Sequence, residues 1–277
     1  MPRLAAGNRP VGWTLDKQVS LEEAVALVRP GDTLALGGLM LYRRPLAFTR
    51  ELIRAGTGDL TLLALTAGME SDLLVGAGLI RKVRTCYFGL EVFGLAPMFT
   101  AQASELEIVE ESETSLAFGI RAATAGVDAL PGRAWLGTDL LRVRPDVKVV
   151  KGPYDGRPYV AFPAIRPDVL VLHVPMADRQ GASVLLGNLS LDREMALVAD
   201  RVIVTAEEIV DEVNQEVGVV PLSVDAVVHA PRGAYPTSCY PYYPLAASEI
   251  LDYVESCRGG GFEAYLQRFL SAEPAVA

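Results

Sequence analysis

The chain has 277 residues, a length that suits one large α/β domain or two small ones. Hydrophobic residues make up 51% and charged residues 21%, which argues against disorder over most of the length. The net charge of −9 comes with no basic stripe of the kind that displaces counterions from nucleic acid, so a charged ligand has to be met by a few local arginines.

Three cysteines, Cys86, Cys239 and Cys257, stand far apart in no ligand-like spacing. That argues against a disulfide framework and against a metal site, and leads us to expect a reducing cytoplasm. Residues 1–13 contain no apolar signal core, and runs such as Leu73–Ile80 are far short of a membrane span. The Asn-Leu-Ser sequon at 188–190 is read as chance in a chain without a secretion signal.

Helix-like and strand-like segments alternate along the chain. Ser20 and Glu23 form a capping box ahead of Val25, Leu27 and Val28. Pro30-Gly31-Asp32 makes a turn into a strand over Thr33–Leu36, which ends at Gly37-Gly38. Pro45 fits the first turn of a helix running to about Ala55. A buried strand over Leu60–Leu65, a helix over Ser71–Ile80, and strands over Val83–Phe88 and Leu106–Val109 follow. Ser112 caps a helix to about Ala125.

The segment Arg142–Arg166, richer in Pro, Gly and charge, reads as a loop or β-excursion, a possible subdivision of what is otherwise a single domain over 1–277. Beyond it come a strand over Asp168–Val174, a helix over Leu191–Ala199, and strands over Arg201–Thr205 and Val224–Ala230. Pro231–Pro244 is irregular, and Glu249–Cys257 and Phe262–Leu270 are closing helices. Strands this apolar, alternating with helices, give the α/β class with a mostly parallel sheet covered on both faces.

The common catalytic and nucleotide signatures are missing. There is no P-loop and no Gly-x-Ser-x-Gly elbow. Gly76-Ala-Gly78 follows no strand and reads as small residues at a helix packing face. His229, inside an apolar strand, is expected in the core, and His173 at a strand end is expected near a site.

Four segments fall at predicted strand C-terminal ends, where ligands bind in open α/β sheets: Gly37-Gly38 with Arg43-Arg44, Glu110 to Glu113, Gly137-Thr138-Asp139, and His173 to Asp178. The glycine pair allows close backbone approach and offers N–H groups to a thioester oxyanion or phosphate. Arg43-Arg44 is a candidate clamp for phosphate or carboxylate, against the plainer reading of a solvated pair.

Taken in order, Gly31-Asp32 to Gly38, Arg43-Arg44-Pro45, Leu60-Thr61-Leu62, Val169 to His173, Ala177 to Gly181, Val204 to Val210 and Val224 to Pro236 carry a resemblance to the A (alpha) subunits of family I coenzyme A transferases, in the layout of the glutaconate type. It extends over about residues 15–270. The resemblance implies an open three-layer α/β fold and a partner B (beta) subunit of the same fold, in an A–B heterodimer or heterotetramer with the active site between the two. It implies coenzyme A thioester as substrate with a small carboxylic acid as acceptor, and no tightly bound cofactor. In such enzymes the thioester is attacked by a glutamate of the B subunit, through an anhydride and a glutamyl-CoA thioester. This chain would then supply substrate contacts from Gly37, Gly38, Arg43, Arg44, Gly137, Thr138 and His173.

Glu113 departs from that pattern, because the transferases carry an amide such as glutamine there. A related branch carries glutamate and opens a carbon–carbon bond in a ring of a CoA-linked steroid fragment. Glu113 is therefore the candidate catalytic residue of this chain, against the plainer reading of a helix-start carboxylate favoured by the macrodipole. Glu110 and Glu111 read as surface charge. Three functions stay open: the A chain of a transferase, the A chain of a ring-opening hydrolase, and a non-catalytic CoA-binding relative.

Overall fold

Apolar side chains on both faces of successive strands decide the architecture. The computed structural model describes residues 15–271; the N-terminal stretch without a signal core lies outside the described residues. The strands are β1 (Thr33–Leu36), β2 (Leu60–Ala67), β3 (Ile80–Phe88), β4 (Glu107–Glu110), β5 (Ala129–Gly132), β6 (Lys148–Lys151), β7 (Pro158–Pro163), β8 (Val169–Asp178), β9 (Ser183–Val184), β10 (Arg201–Val210) and β11 (Ala226–His229). The helices are α1 (Leu21–Val25), α2 (Leu46–Ala55), α3 (Met69–Gly76), α4 (Pro97–Gln102), α5 (Glu113–Ala125), α6 (Leu140–Val143), α7 (Asp192–Val198), α8 (Ala247–Arg258) and α9 (Phe262–Ser271).

The main sheet has the order β11-β10-β8-β1-β2-β3-β4, all parallel, with β9 antiparallel on β8. Leu34, Leu36, Leu62, Val169, Val171 and Ile203 enter one core beneath α1, α2 and α3. Their neighbours Ala35, Leu63, Leu170, Leu172, Val202 and Val204 enter the other, beneath α5 and α7. This period-two partition into two dry faces is what a parallel sheet between helical layers requires. α8 and α9 form an outer cluster with Leu46, Met69 and Leu73. Gly76 lies against the Phe262 ring, where a Cβ would collide with it, so the small residue does serve a packing face.

The expected β-excursion is a three-stranded antiparallel sheet, β5-β7-β6, with its own core of Trp135, Val147, Val160 and Phe162. It begins earlier than the composition indicates, at Ala129. Two burial expectations are reversed. His229 ends the edge strand β11 and is exposed, and Glu111 is buried rather than a surface charge.

The chain lays down β1 to β4 outward in one direction, then returns to place β8, β10 and β11 on the other side of β1. The C-terminal ends of β1 and β8 therefore flank a switch point, the usual location of a ligand crevice in an open sheet.

Candidate active site

Gly37 and Gly38 leave β1 at this switch point. A Cβ on Gly37 would collide with Leu172 of β8, and Gly38 adopts a φ of +81° with its Cα against the Tyr42 and Arg43 carbonyls. Glycine is thus required at both positions, by the Leu172 and Asp192 side chains at Gly37 and by the Tyr42 and Arg43 carbonyls at Gly38. The N–H groups are not free for a ligand: Gly37 donates to Val171 O at 2.9 Å and Gly38 to Asp192 Oδ1 at 3.1 Å.

Both arginines turn inward, which corrects their expected place on the open ligand edge. Arg43 is fully buried and donates to Asp192 Oδ2 at 2.9 Å, Asn188 O at 3.1 Å and His173 O at 3.2 Å. Arg44 is fully buried against Glu70, which also accepts from Ser71 Oγ at 2.5 Å and Gly68 N at 3.3 Å. The cause is electrostatic: a desolvated guanidinium needs a counter-charge, and α7 and α3 each begin with one. Local sequence could not reveal these partners, since Asp192 lies far along the chain from Arg43.

His173 is likewise internal. β8 continues five residues past it to Asp178, so it lies within the strand rather than at its end. Its Nδ1 is 2.9 Å from Thr205 Oγ1 and its Nε2 is 2.7 Å from Glu207 Oε1. Glu207 also accepts from Tyr243 OH and, at 2.6 Å, from Arg232 N. Burial raises the Glu207 carboxyl pKa, but the His173, Tyr243 and Arg232 donors outweigh it and hold the group below its ordinary value. Burial and the Glu207 charge push the nearby Cys239 thiol up to about 12. The ligating atoms of His173, Glu207 and Cys239 converge within 4.8 Å. With both ring nitrogens in hydrogen bonds and the thiol held neutral, this donor set is poorly prepared for a metal.

Glu113 is different. It is the first residue of α5, exposed, and without a hydrogen bond or ion pair among the described residues. The residues before it are tightly held. Glu111 accepts from Arg84 Nε at 2.7 Å and is paired with Arg144 Nη1 at 2.8 Å. Ser112 and Ser115 make a reciprocal capping box, with Ser115 N to Ser112 Oγ at 3.2 Å and Ser112 N to Ser115 Oγ at 2.8 Å. Cys86, near the C-terminal end of β3, has its thiol pushed up to about 11 by burial and then by the Glu113 charge. Glu113 follows the last residue of β4, Glu110, by three residues and so stands at the C-terminal edge of the sheet.

Gly137 and Thr138 do not follow a main-sheet strand. They lie in an exposed turn after β5, with Gly137 at a φ of +78°. Trp135 nevertheless brings that turn to the start of α5 by donating from Nε1 to Ser112 Oγ at 2.8 Å. Two groups of predicted residues thus separate: Glu113 with the 137–138 turn on the exposed rim, and Gly37, Gly38, Arg43, Arg44 and His173 in the frame beneath. Glu70, Asp192, Glu207 and Trp135 are parts of this arrangement that sequence reasoning missed. A carboxylate set in the apolar run Val204–Val210 was the one available signal, for Glu207.

Comparison with known proteins agrees with this architecture. Residues 18–230 match the family model described as coenzyme A transferase. The A chain of the 3-oxoadipate CoA-transferase of Pseudomonas knackmussii is 38% identical, over 81% of this chain and 83% of its own. The IpdA chain of the cholesterol ring-cleaving hydrolase of Rhodococcus jostii is 31% identical over 88% of each chain. Among solved structures, a variant of the decarboxylase AibA/AibB superposes with a TM-score of 0.87 at 30% identity, covering 92% of this chain and 98% of that one. Glutaconate coenzyme A-transferase from Acidaminococcus fermentans superposes with a TM-score of 0.85 at 28% identity, covering 91% and 88%. With a match spanning most of the described sheet, the chain belongs to the coenzyme A transferase family, as an A-type subunit.

Proposed function

We propose that this chain is the A-type half of an acyl-CoA:carboxylate CoA-transferase that works with a B subunit of the same fold. The observation that carries this reading is the 38% identity to the A chain of a 3-oxoadipate CoA-transferase over four-fifths of the sequence. The rim chemistry supports it. Among the described residues the C-terminal end of β4 and the start of α5 offer two unpartnered carboxylates, Glu110 and Glu113, while burial holds the nearby Cys86 thiol up at about 11 and His173, within β8, is committed to Glu207. Such an edge offers neither a thiolate nor a free imidazole as nucleophile, which leaves the attack on the thioester to a carboxylate.

The nucleophile would come from the partner. Its glutamate carboxylate attacks the thioester carbonyl carbon and CoA leaves as the thiolate, giving a mixed anhydride. The thiolate attacks the glutamyl carbonyl, releasing the acyl group as a carboxylate and leaving a glutamyl-CoA thioester. The acceptor carboxylate reverses the sequence. The test is mass spectrometry of the coexpressed pair after incubation with 3-oxoadipyl-CoA. We expect a CoA-sized adduct on one glutamate of the partner and none on this chain; an adduct on this chain, or on neither, contradicts the reading.

A second reading, a CoA-thioester ring-opening hydrolase, is favoured by one observation: Glu113 is an exposed, unpaired carboxylate on a rigidly held helix start, suited to act as a base on water or substrate. The 31% identity to the IpdA chain of the ring-cleaving hydrolase accords with it.

A further inference from the structure

Trp135 has a backbone φ of +73°, a region that a bulky L-residue rarely occupies. Such an outlier persists only where its surroundings hold it. Trp135 is 4% exposed, and its ring stands edge-on to Phe162 with centroids 5.3 Å apart. The Arg144 guanidinium lies 5.8 Å from the ring centroid, and the same guanidinium binds Glu111.

The polar contacts of Trp135 reach two separate segments. Its indole N–H donates to Ser112 Oγ, which also accepts from Ser115 N and so caps α5 one residue before Glu113. Its carbonyl accepts from Thr138 N at 3.0 Å and from the Thr138 hydroxyl at 2.9 Å. One buried residue thus joins the start of α5 to the exposed 137–138 turn. The turn lies outside the main sheet, and this bridge ties it to the helix that carries Glu113, beside the Arg144–Glu111 pair and the Phe118–Phe162 ring contact.

We infer that Trp135 is a positioning residue that locks the helix start at Glu113 and the Gly137–Thr138 turn into one rigid rim, and that this rim sets the affinity for the acyl-CoA. The inference rests on the reading that this edge faces the thioester substrate. Binding geometry of this kind is commonly set by residues that hold the contacting groups without touching the ligand.

The test uses the coexpressed A–B pair with Trp135→Phe, which keeps the aromatic packing and removes the donor, and Ser112→Ala with Ser112→Thr as the conservative partner. In Trp135→Phe, amide exchange at residues 112–116 and at 138 should rise together, and KM for 3-oxoadipyl-CoA should rise about 3- to 10-fold, the value of one hydrogen bond, while kcat stays within about twofold. Ser112→Ala should do the same and Ser112→Thr should restore both readouts. Exchange that rises at one segment and not the other overturns the coupling. Coupled exchange with unchanged KM overturns the link to affinity, while the reading beneath it is judged apart, by the adduct on the partner's glutamate. A fall in melting temperature with exchange at both segments and KM unchanged leaves Trp135 a packing residue and overturns the inference.

Discussion

Arg43 and Asp192 form an ion pair of 2.9 Å with neither side chain in contact with solvent, at the point where β1 and β8 diverge. Asp192 also accepts from Gly38 N, so one carboxylate ties the glycine turn, the arginine after it and the first turn of α7 together. The expectation that Arg43 or Arg44 would clamp a substrate anion gives way to an internal role: their ion pairs hold the segment that follows β1 against α7 and α3.

Removing one member of that pair should therefore be costly for the fold. Asp192→Ala leaves a buried guanidinium without a counter-charge, and a stability loss of about 3–5 kcal/mol is expected in urea unfolding. Replacing both, Arg43→Met with Asp192→Leu, should lose considerably less, since no charge is then stranded. A single-variant loss below about 1 kcal/mol would mean that the pair behaves as a solvated one.

Gly38 and Gly126 make a matched test of backbone strain. Both have positive φ, +81° and +70°, but a Cβ at Gly126 meets nothing within 4 Å, whereas at Gly38 it lies 2.5 Å from Tyr42 O and 2.7 Å from Arg43 O. Gly126→Ala should cost about 1 kcal/mol, the left-handed penalty alone. Gly38→Ala should cost clearly more and lower activity of the pair, because the Arg43 backbone has to move. Equal losses in thermal or urea unfolding would show that the backbone around Gly38 is deformable.

Two buried carboxyl groups should give opposite pH signatures. Burial pushes Asp72 from 3.8 to about 6, against hydrogen bonds from Tyr253, Phe99 and Met98. A raised acid takes up its proton in the folded state while the unfolded chain is still ionised, so this group favours folding increasingly as pH falls from about 7 to 4, by up to about 3 kcal/mol. Glu207, held below its ordinary value, contributes stability that is present above that value and lost as pH falls through its folded pKa. The stability difference between the parent and Asp72→Asn should therefore drift in the parent's favour on acidification, and that between the parent and Glu207→Gln should shrink. A flat difference for Asp72→Asn across pH 4–7, or for Glu207→Gln as pH falls below the ordinary value of 4.5, would contradict these environments.

Glu113→Gln separates the two enzymatic readings. In a transferase the reaction runs through the partner's glutamate, and the amide should leave most turnover intact. In a hydrolase the change removes the base, and turnover should fall by about 10²- to 10⁴-fold while the acyl-CoA still binds. Parallel measurement of turnover and of acyl-CoA binding by the pair distinguishes a lost base from a lost site.

The elements with strong local punctuation were legible in the sequence. β1 runs over Thr33–Leu36 as expected because a Pro-Gly-Asp turn and a glycine pair bound it, and α5 begins after Ser112 and ends before Gly126 because a capping box and an αL glycine delimit it. The helix expected over Ser71–Ile80 is displaced to Met69–Gly76, because a turn at Gly78 with a φ of +73° releases Ile80 into β3. The short α4, α6 and β5 have too few residues for a periodicity to register. Burial of charge was the least legible property: Glu111, Arg43 and Arg44 read as surface or site charges, and the partners that draw them inward, Arg84, Arg144, Asp192 and Glu70, arrive only through the fold.

The central claim, that this chain serves carboxylate-dependent CoA transfer, is tested most directly by following 3-oxoadipyl-CoA consumption by the coexpressed pair with and without a free carboxylate acceptor. The account predicts negligible consumption without acceptor, and with acetate present a saturable rate with one acetyl-CoA formed per thioester consumed. Steady consumption that is indifferent to acetate, with no acetyl-CoA formed, would contradict it.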